Sequence, residues 1–174
     1  MKHTPAYILA RTAVLLALVV GVQQLKTVSQ FITGPVVNAI LIIAVLSSGL
    51  FSGLAISVLS PVFALLINPM PIMTIVPQMA VAIMLGHAVL ALAVYVLKDT
   101  SLVIGLGVGA LAKAGVLWAG VAYAVVPLFG QALSDNQRVM LTAMFSYNQL
   151  ITAAAGGAIA YLAWLKLRKI IARR

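Results

Sequence analysis

The sequence contains no cysteine and only two acidic residues, Asp99 and Asp135, among its 174 positions. Without cysteine, the chain has no disulfide, no thiolate metal ligand and no cysteine nucleophile. The two carboxylates fall in polar segments, so no buried pair exists for intramembrane aspartyl protease chemistry. Its two histidines, His3 and His87, belong to no His-Glu-x-x-His run of a metalloprotease. We therefore expect no catalytic residues, no metal and no cofactor, and a protein that is not an enzyme.

Charge of either sign is also scarce, since 7% of the residues are charged, compared with about 25% in an ordinary soluble domain. Hydrophobic residues make up 64%, and the mean hydropathy is +1.18. So little polar surface cannot solvate a globule, which indicates a protein that lies within a lipid bilayer. The sequence lacks a Walker A run as well, so the chain cannot power transport by ATP hydrolysis alone. Its length allows a single transmembrane domain, residues 1–174.

Proline, glycine and charged residues divide the chain into six apolar segments. They lie near Tyr7–Gln24, Pro35–Ser47, Gly49–Ile67, Ile75–Leu97, Leu102–Leu128 and Val139–Leu165. A helix needs about 20 mostly apolar residues to cross a bilayer. We predict an all-α integral membrane bundle of about six transmembrane helices. Only Ser47-Ser48-Gly49 separates the second segment from the third, so these two form either a tight helical hairpin or one long bent helix.

Three polar stretches predict where helices begin and end. Asn68-Pro69-Met70-Pro71 lacks two backbone donors and restricts the residue before each proline, so we predict a loop there. Asp99-Thr100-Ser101 offers capping side chains to the fifth helix, and Ser134-Asp135-Asn136 offers them to the sixth.

The net charge of +9 would suggest a nucleic-acid partner in a soluble protein, but the basic residues lie mainly at the ends of apolar segments. We therefore expect no nucleic acid, and a multi-pass protein of the cell membrane with both termini cytoplasmic. The loops around Lys26–Gly34, Asn68–Thr74 and Gly130–Arg138 would face outward. The stretch from Met1 to Gln24 is expected to be a retained first helix. The tail Lys166–Arg174 fixes this orientation or binds anionic lipid, so membrane lipid is an expected partner.

Lys113 lies in the middle of the fifth apolar segment, where a charge costs about 2.5–3.5 kcal/mol on insertion scales. No acidic residue is expected at membrane depth to pair with it. Two interpretations remain open. A bound anion supplies the missing charge, or Lys113 is neutral or reaches water and packs its alkyl stem.

Other polar side chains within the apolar segments are candidates for the same ligand site. With Lys113, the expected substrate-binding residues are Asn38, Gln78, His87, Tyr147, Asn148 and Gln149. Taken singly, each polar one can instead be an interhelical hydrogen-bond partner, and the aromatic one can be packing or an interface anchor. Small residues four apart, as at Ala13 and Ala17, let another helix approach closely. The sequence leaves open whether that helix is internal or belongs to another subunit.

Three stretches carry a more specific pattern. They are Ala13-Val14-Leu15-Leu16-Ala17 in the first segment, Thr33-Gly34-Pro35-Val36-Val37-Asn38-Ala39 entering the second, and Gln149-Leu150-Ile151-Thr152-Ala153 with Gly156-Gly157 in the last. Together with the short six-helix length, they make the chain resemble the S component of the energy-coupling factor (ECF) vitamin transporters of bacteria. The S component is the substrate-binding membrane subunit, and the resemblance covers nearly the whole chain.

The resemblance implies that Ala13 and Ala17 pack on a transmembrane coupling subunit, which joins two ATPase subunits. It also implies that a small vitamin-like substrate lies under the outer loops and is delivered inward when the subunit topples. Because of Lys113, we expect an anionic and largely apolar vitamin or cofactor precursor, such as a lipoate-like or biotin-like molecule. The alternatives are a structural or assembly membrane protein with no small-molecule ligand and, in a third class, a membrane enzyme.

Overall fold

The computed structural model describes residues 4–27 and 29–171, and every regular element in those ranges is helical. The all-α prediction is therefore confirmed. Residues 1–3, which include His3, and residues 172–174 of the basic tail lie outside the described residues, as does Val28.

Eight α-helices occur in the described ranges. They are α1 Pro5–Gln23, α2 Gln30–Ser48, α3 Leu50–Ile67, α4 Pro71–Ile75, α5 Met79–Gly120, α6 Val126–Phe129, α7 Asp135–Met144 and α8 Tyr147–Ile171. Two 3-10 segments, Gln24–Thr27 and Gly130–Ala132, and a π-helical turn, Val121–Val125, join some of them. Five stretches are long and apolar enough to cross a membrane, and one of these, Met79–Ala132, has 54 residues.

Helix α5 is two membrane-spanning arms, 79–100 and 102–120, that meet at Ser101. This residue has an extended backbone (φ −159°, ψ 115°), and its hydroxyl accepts a hydrogen bond from the N–H of Ile104, as the capping prediction requires. The arms fold back on each other, because a Cβ on Gly109 would lie 2.8 Å from Leu90 and one on Gly105 would lie 3.2 Å from Leu97. If the two arms are counted separately, the described ranges contain six long helical segments, in agreement with the predicted bundle of about six helices.

Helices α2 and α3 form a hairpin, which decides between the two arrangements that the sequence left open. Gly49 separates them with a φ of 88°, a left-handed conformation that favours glycine. The two helices pack closely, since a Cβ on Gly53 would lie only 2.4 Å from the Val45 side chain.

Two predicted boundaries differ from the structure. The sixth apolar segment, Val139–Leu165, is not one helix: a turn at Phe145 and Ser146 divides α7 from α8. The predicted loop Asn68–Pro71 ends at Met70, because Pro71 begins α4, where its missing N–H costs no helical hydrogen bond. The predicted cap at Ser134 is present, and Ser134 and Gln137 form a capping box.

Helix α2 lies at the centre of the bundle and packs against α1, α3, α5 and α8. One apolar cluster surrounds it and includes Leu41, Ile42 and Leu90. A second cluster joins α4 and α7 to α5 and includes Met73, Met79 and Phe145. Residues of both clusters border the cavity that contains the candidate site.

Candidate functional site

A cavity lies among α1, α2, α3, α5 and α8, with the segment around α4 and the α7–α8 turn beside it. The volume of the cavity is about 120 Å³, which is below the range of about 300–1,000 Å³ typical of drug-sized ligand sites. Its lining is Gln23, Gln30, Thr33, Gly34, Val37, Asn38, Pro61, Ala64, Met70, Met73, Ile83, His87, Lys113, Phe145, Gln149 and Thr152. Half of these sixteen residues are polar, although most of the surface area that faces the cavity is apolar.

Lys113 is the cationic group of this cavity and is only 2% exposed. Its ammonium donates a hydrogen bond to the side-chain oxygen of Asn38 on α2. An ammonium has three N–H donors, and no other hydrogen bond from Lys113 occurs to the described part of the chain. Lys113 thus retains donor capacity towards a group inside the cavity.

Neither of the two acidic side chains of the protein pairs with Lys113. Asp99 pairs with Lys98 at 3.1 Å, and Asp135 lies 3.7 Å from Arg138. Both carboxylates are largely exposed, at 84% and 97%. Within residues 4–27 and 29–171, the buried ammonium therefore has no anionic partner.

Two buried polar atoms of the cavity wall lack a hydrogen-bond partner in the described ranges: Nδ1 of His87 and Oε1 of Gln23. His87 is 6% exposed and Gln23 is 9% exposed, so water satisfies neither side chain freely. Leaving such a group unpaired costs about 1–3 kcal/mol. The cavity lining thus contains two residues with an unpaired buried atom and a lysine without an anionic partner, groups that a polar ligand would satisfy.

Helix α8 contributes Gln149 and Thr152 to the cavity, because they lie on the face of α8 that packs on α2. The close approach depends on Gly156, where a Cβ would lie 2.6 Å from both the Cβ of Asn38 and the carbonyl oxygen of Pro35. The amide of Gln149 donates to the carbonyl of Met144 at 3.4 Å. The side chain is thereby held across the α7–α8 turn.

Of the seven side chains predicted to bind substrate, the structure brings four together in this cavity: Asn38, His87, Lys113 and Gln149. The other three, Gln78, Tyr147 and Asn148, do not line it.

Their positions follow from helix phase. Gln78 precedes α5 and lines a separate, almost wholly apolar groove with Gly120 and Phe129. Tyr147, two residues before Gln149, is 63% exposed, and Asn148, one residue before it, is half-buried. Neighbouring positions on a helix point about 100° apart, so the three cannot share one face.

Sequence reasoning missed Gln23, which lies within the first predicted segment, Tyr7–Gln24. In the structure it is the last residue of α1, and its amide donates to the hydroxyl of Ser60 at 2.9 Å. A signal for it does exist: Thr12, Val19 and Gln23 are the buried residues of α1, and their spacings of seven and four put them on one helix face.

Ala13 and Ala17 lie on the opposite side of α1 and are exposed. Glycines of other helices pack closely inside the chain, as the contacts of Gly53, Gly109 and Gly156 show. The predicted outward orientation of the alanine pair agrees with the structure.

No cluster of three or more His, Cys, Asp or Glu side chains that could hold a metal ion occurs in the described portion of the chain. No protein-family model, curated protein or solved structure matches this chain. The site's own residues therefore carry the argument about function.

Proposed function

We propose that this protein is the substrate-binding subunit of an ECF-type uptake transporter. It captures a small anionic, largely apolar vitamin or cofactor precursor from outside the cell. Partner coupling and ATPase subunits then drive delivery of the substrate inward.

The observation that carries the ligand part of this proposal is the unbalanced Lys113 in a mostly apolar cavity. Burying an ammonium without a counter-charge is costly in a bilayer. A carboxylate bound between α2 and α5 would accept hydrogen bonds from the N–H groups of Lys113 that have no partner. It would also accept one from Nδ1–H of His87 in the tautomer that carries its proton on Nδ1. The apolar wall, with Val37, Pro61 and Phe145, would hold the remainder of the substrate.

The observation that supports the partner part is the position of Ala13 and Ala17. Small residues at a spacing of four allow two helices to pack closely, and this pair is exposed while the small residues of other helices are covered internally. The orientation of the protein, with both termini cytoplasmic, and its location in the cell membrane follow from the distribution of basic residues and belong to the same proposal.

A thermal-shift panel in detergent tests the proposal, using biotin with biotinamide and lipoate with lipoamide among other vitamin carboxylates and their amides. A ligand at 100 times its Kd stabilises the native state by about 2.7 kcal/mol. At least one carboxylate should raise the Tm of the parent and fail to raise that of Lys113→Met. If no carboxylate in the panel shows this dependence on Lys113, an anionic substrate is ruled out within that class.

One observation favours the alternative, a structural or assembly membrane protein without a ligand. Lys113 already donates to Asn38, and this hydrogen bond links α5 to α2. On this alternative the Lys113–Asn38 contact stabilises the bundle. Asn38→Leu would then lower the Tm strongly, and no small molecule would restore it. Steady turnover of a substrate by the purified chain would instead indicate an enzyme.

A further inference from the structure

Gln23 is the one buried residue of α1 among the residues that line the cavity. Its Nε2 donates to Ser60 on α3, which fixes the amide plane. Its Oε1 is buried and has no partner in the part of the chain that the structure describes. A fixed, desolvated carbonyl oxygen favours a ligand that brings an N–H or O–H donor, since leaving it unpaired costs free energy.

The cation and this amide reach the cavity from different walls. Lys113 belongs to α5 and bonds Asn38 on α2, whereas Gln23 belongs to α1 and bonds Ser60 on α3. Helix α1 packs against α2 and α3, and α5 packs against α2, α3 and α8. One ligand that contacts both groups would offer its anionic group to Lys113 and its donor to Gln23.

The cavity lining also includes apolar side chains, among them Val37, Pro61, Ala64 and Ile83. The part of a ligand that packs against these side chains should be apolar, because a polar group there would be left unpaired.

We propose that Gln23 is a specificity-determining residue that selects a carboxylate bearing an N–H or O–H donor and an apolar portion. This inference rests on the proposed binding function and narrows its substrate class. Simple fatty acids lack the donor, and ethers of the same length offer only an acceptor, so both are disfavoured relative to the donor-bearing acid.

Three series of probes test the inference with the full-length protein in detergent. They are the unbranched six-, eight- and ten-carbon monocarboxylates, the corresponding ω-hydroxy acids and the ω-methoxy acids. Kd is measured by isothermal titration for the parent, for Gln23→Leu and for Gln24→Leu. Gln24 is a matched control, because it is the adjacent glutamine and is exposed, with its amide bonded to the carbonyl of Val20.

In the parent, the ω-hydroxy acid of the best-fitting length should bind about three- to tenfold more tightly than the alkyl and methoxy acids, the effect of one hydrogen bond. Gln23→Leu should remove that preference, whereas Gln24→Leu should keep it. Ser60→Ala, which frees the amide of Gln23, should reduce it.

Two failures are distinguishable. If acids bind in a manner that depends on Lys113 but no chain length shows the hydroxyl preference, or if the preference persists in Gln23→Leu, the role of Gln23 is wrong and the anion site stands. If the parent binds none of the probes, the substrate class inferred from Gln23 is wrong. If a Lys113→Met variant binds every probe as the parent does, the anion site on which the inference rests is overturned, and the inference with it.

Discussion

Replacing Lys113 by methionine separates the ligand role of this residue from a structural one. The substitution keeps most of the alkyl stem and deletes the charge. Removing one partner of a desolvated charge pair costs about 2–5 kcal/mol of binding free energy, equivalent to an increase in Kd of roughly 30-fold to several-thousand-fold. The affinity of a bound carboxylate should fall by that factor, and a neutral amide analogue should lose little.

The effect on folding stability combines two opposite terms. The variant no longer buries an ammonium without a counter-charge, which stabilises it. It also leaves the side-chain oxygen of Asn38 without its donor, which costs about 1–3 kcal/mol. We expect a Tm close to that of the parent. The double variant Lys113→Met with Asn38→Leu removes both partners of the hydrogen bond and should be at least as stable as the parent.

Isothermal titration and thermal unfolding in detergent measure these two effects on the same samples. Lys98→Met is the matched control, because Lys98 is also on α5 but pairs with Asp99, away from the cavity. Its affinity for the carboxylate should stay within about twofold of the parent. The reasoning is refuted if Lys113→Met folds normally and retains the parent Kd, or if the amide analogue loses as much affinity as the acid.

Three further outcomes are expected. Ala13→Leu combined with Ala17→Leu should abolish uptake in cells while leaving ligand Kd within about twofold, because bulky side chains prevent close helix approach; normal transport by a normally expressed double variant would contradict the coupling role. Gly156→Ala should lower stability in detergent by about 1–3 kcal/mol through overpacking, whereas Gly107→Ala, which meets open space, should raise it by about 0.5–1 kcal/mol; equal effects would show that the α2–α8 contact is not tight. A single cysteine at Ser134 should react with an impermeant thiol reagent from outside, and labelling only from the cytoplasm would reverse the topology.

The helices were predictable because length and hydropathy in a bilayer leave few alternatives. Every unpaired backbone group is costly in lipid, so apolar runs of sufficient length become helices. The cap at Ser101 was predictable from local chemistry, and its extended backbone turns a 42-residue helix into two arms. The turn at Phe145 and Ser146 was not, because neither residue is a strong helix breaker and the apolar pattern continues through them.

Site residues were predictable where an ionisable side chain is costly to bury in a bilayer. They were not predictable where the rotational position of a residue on its helix determines whether it lines the cavity. Lys113 and His87 are recognisable whichever side of their helix they lie on, because an ionisable group within an apolar segment is costly and usually functional. Tyr147, Asn148 and Gln149 are consecutive, and only the packing of Gly156 on α2 determines that Gln149 lines the cavity. Gln23 was missed because a glutamine near a helix end is ordinary in sequence, and its significance comes from an unpaired oxygen that only the structure reveals.

Helix α1 contributes to both sites that the proposed function requires, the ligand cavity and the exposed Ala13 and Ala17 pair. Only 11% of its membrane-spanning window is buried in the protein, compared with 50% for α2, so apolar packing alone holds it weakly. Polar contacts with α3 add to that packing: Thr12 bonds Ser52 at 2.6 Å, and Gln23 bonds Ser60 at 2.9 Å. Such bonds contribute about 0.6–2 kcal/mol each in a membrane. A ligand that bonds Gln23 would add a contact of the same size to a helix whose opposite face presents the Ala13 and Ala17 pair. Ligand binding and partner binding would then both involve the least buried of the spanning helices. A single hydrogen bond makes its largest relative contribution to holding this helix in the bundle.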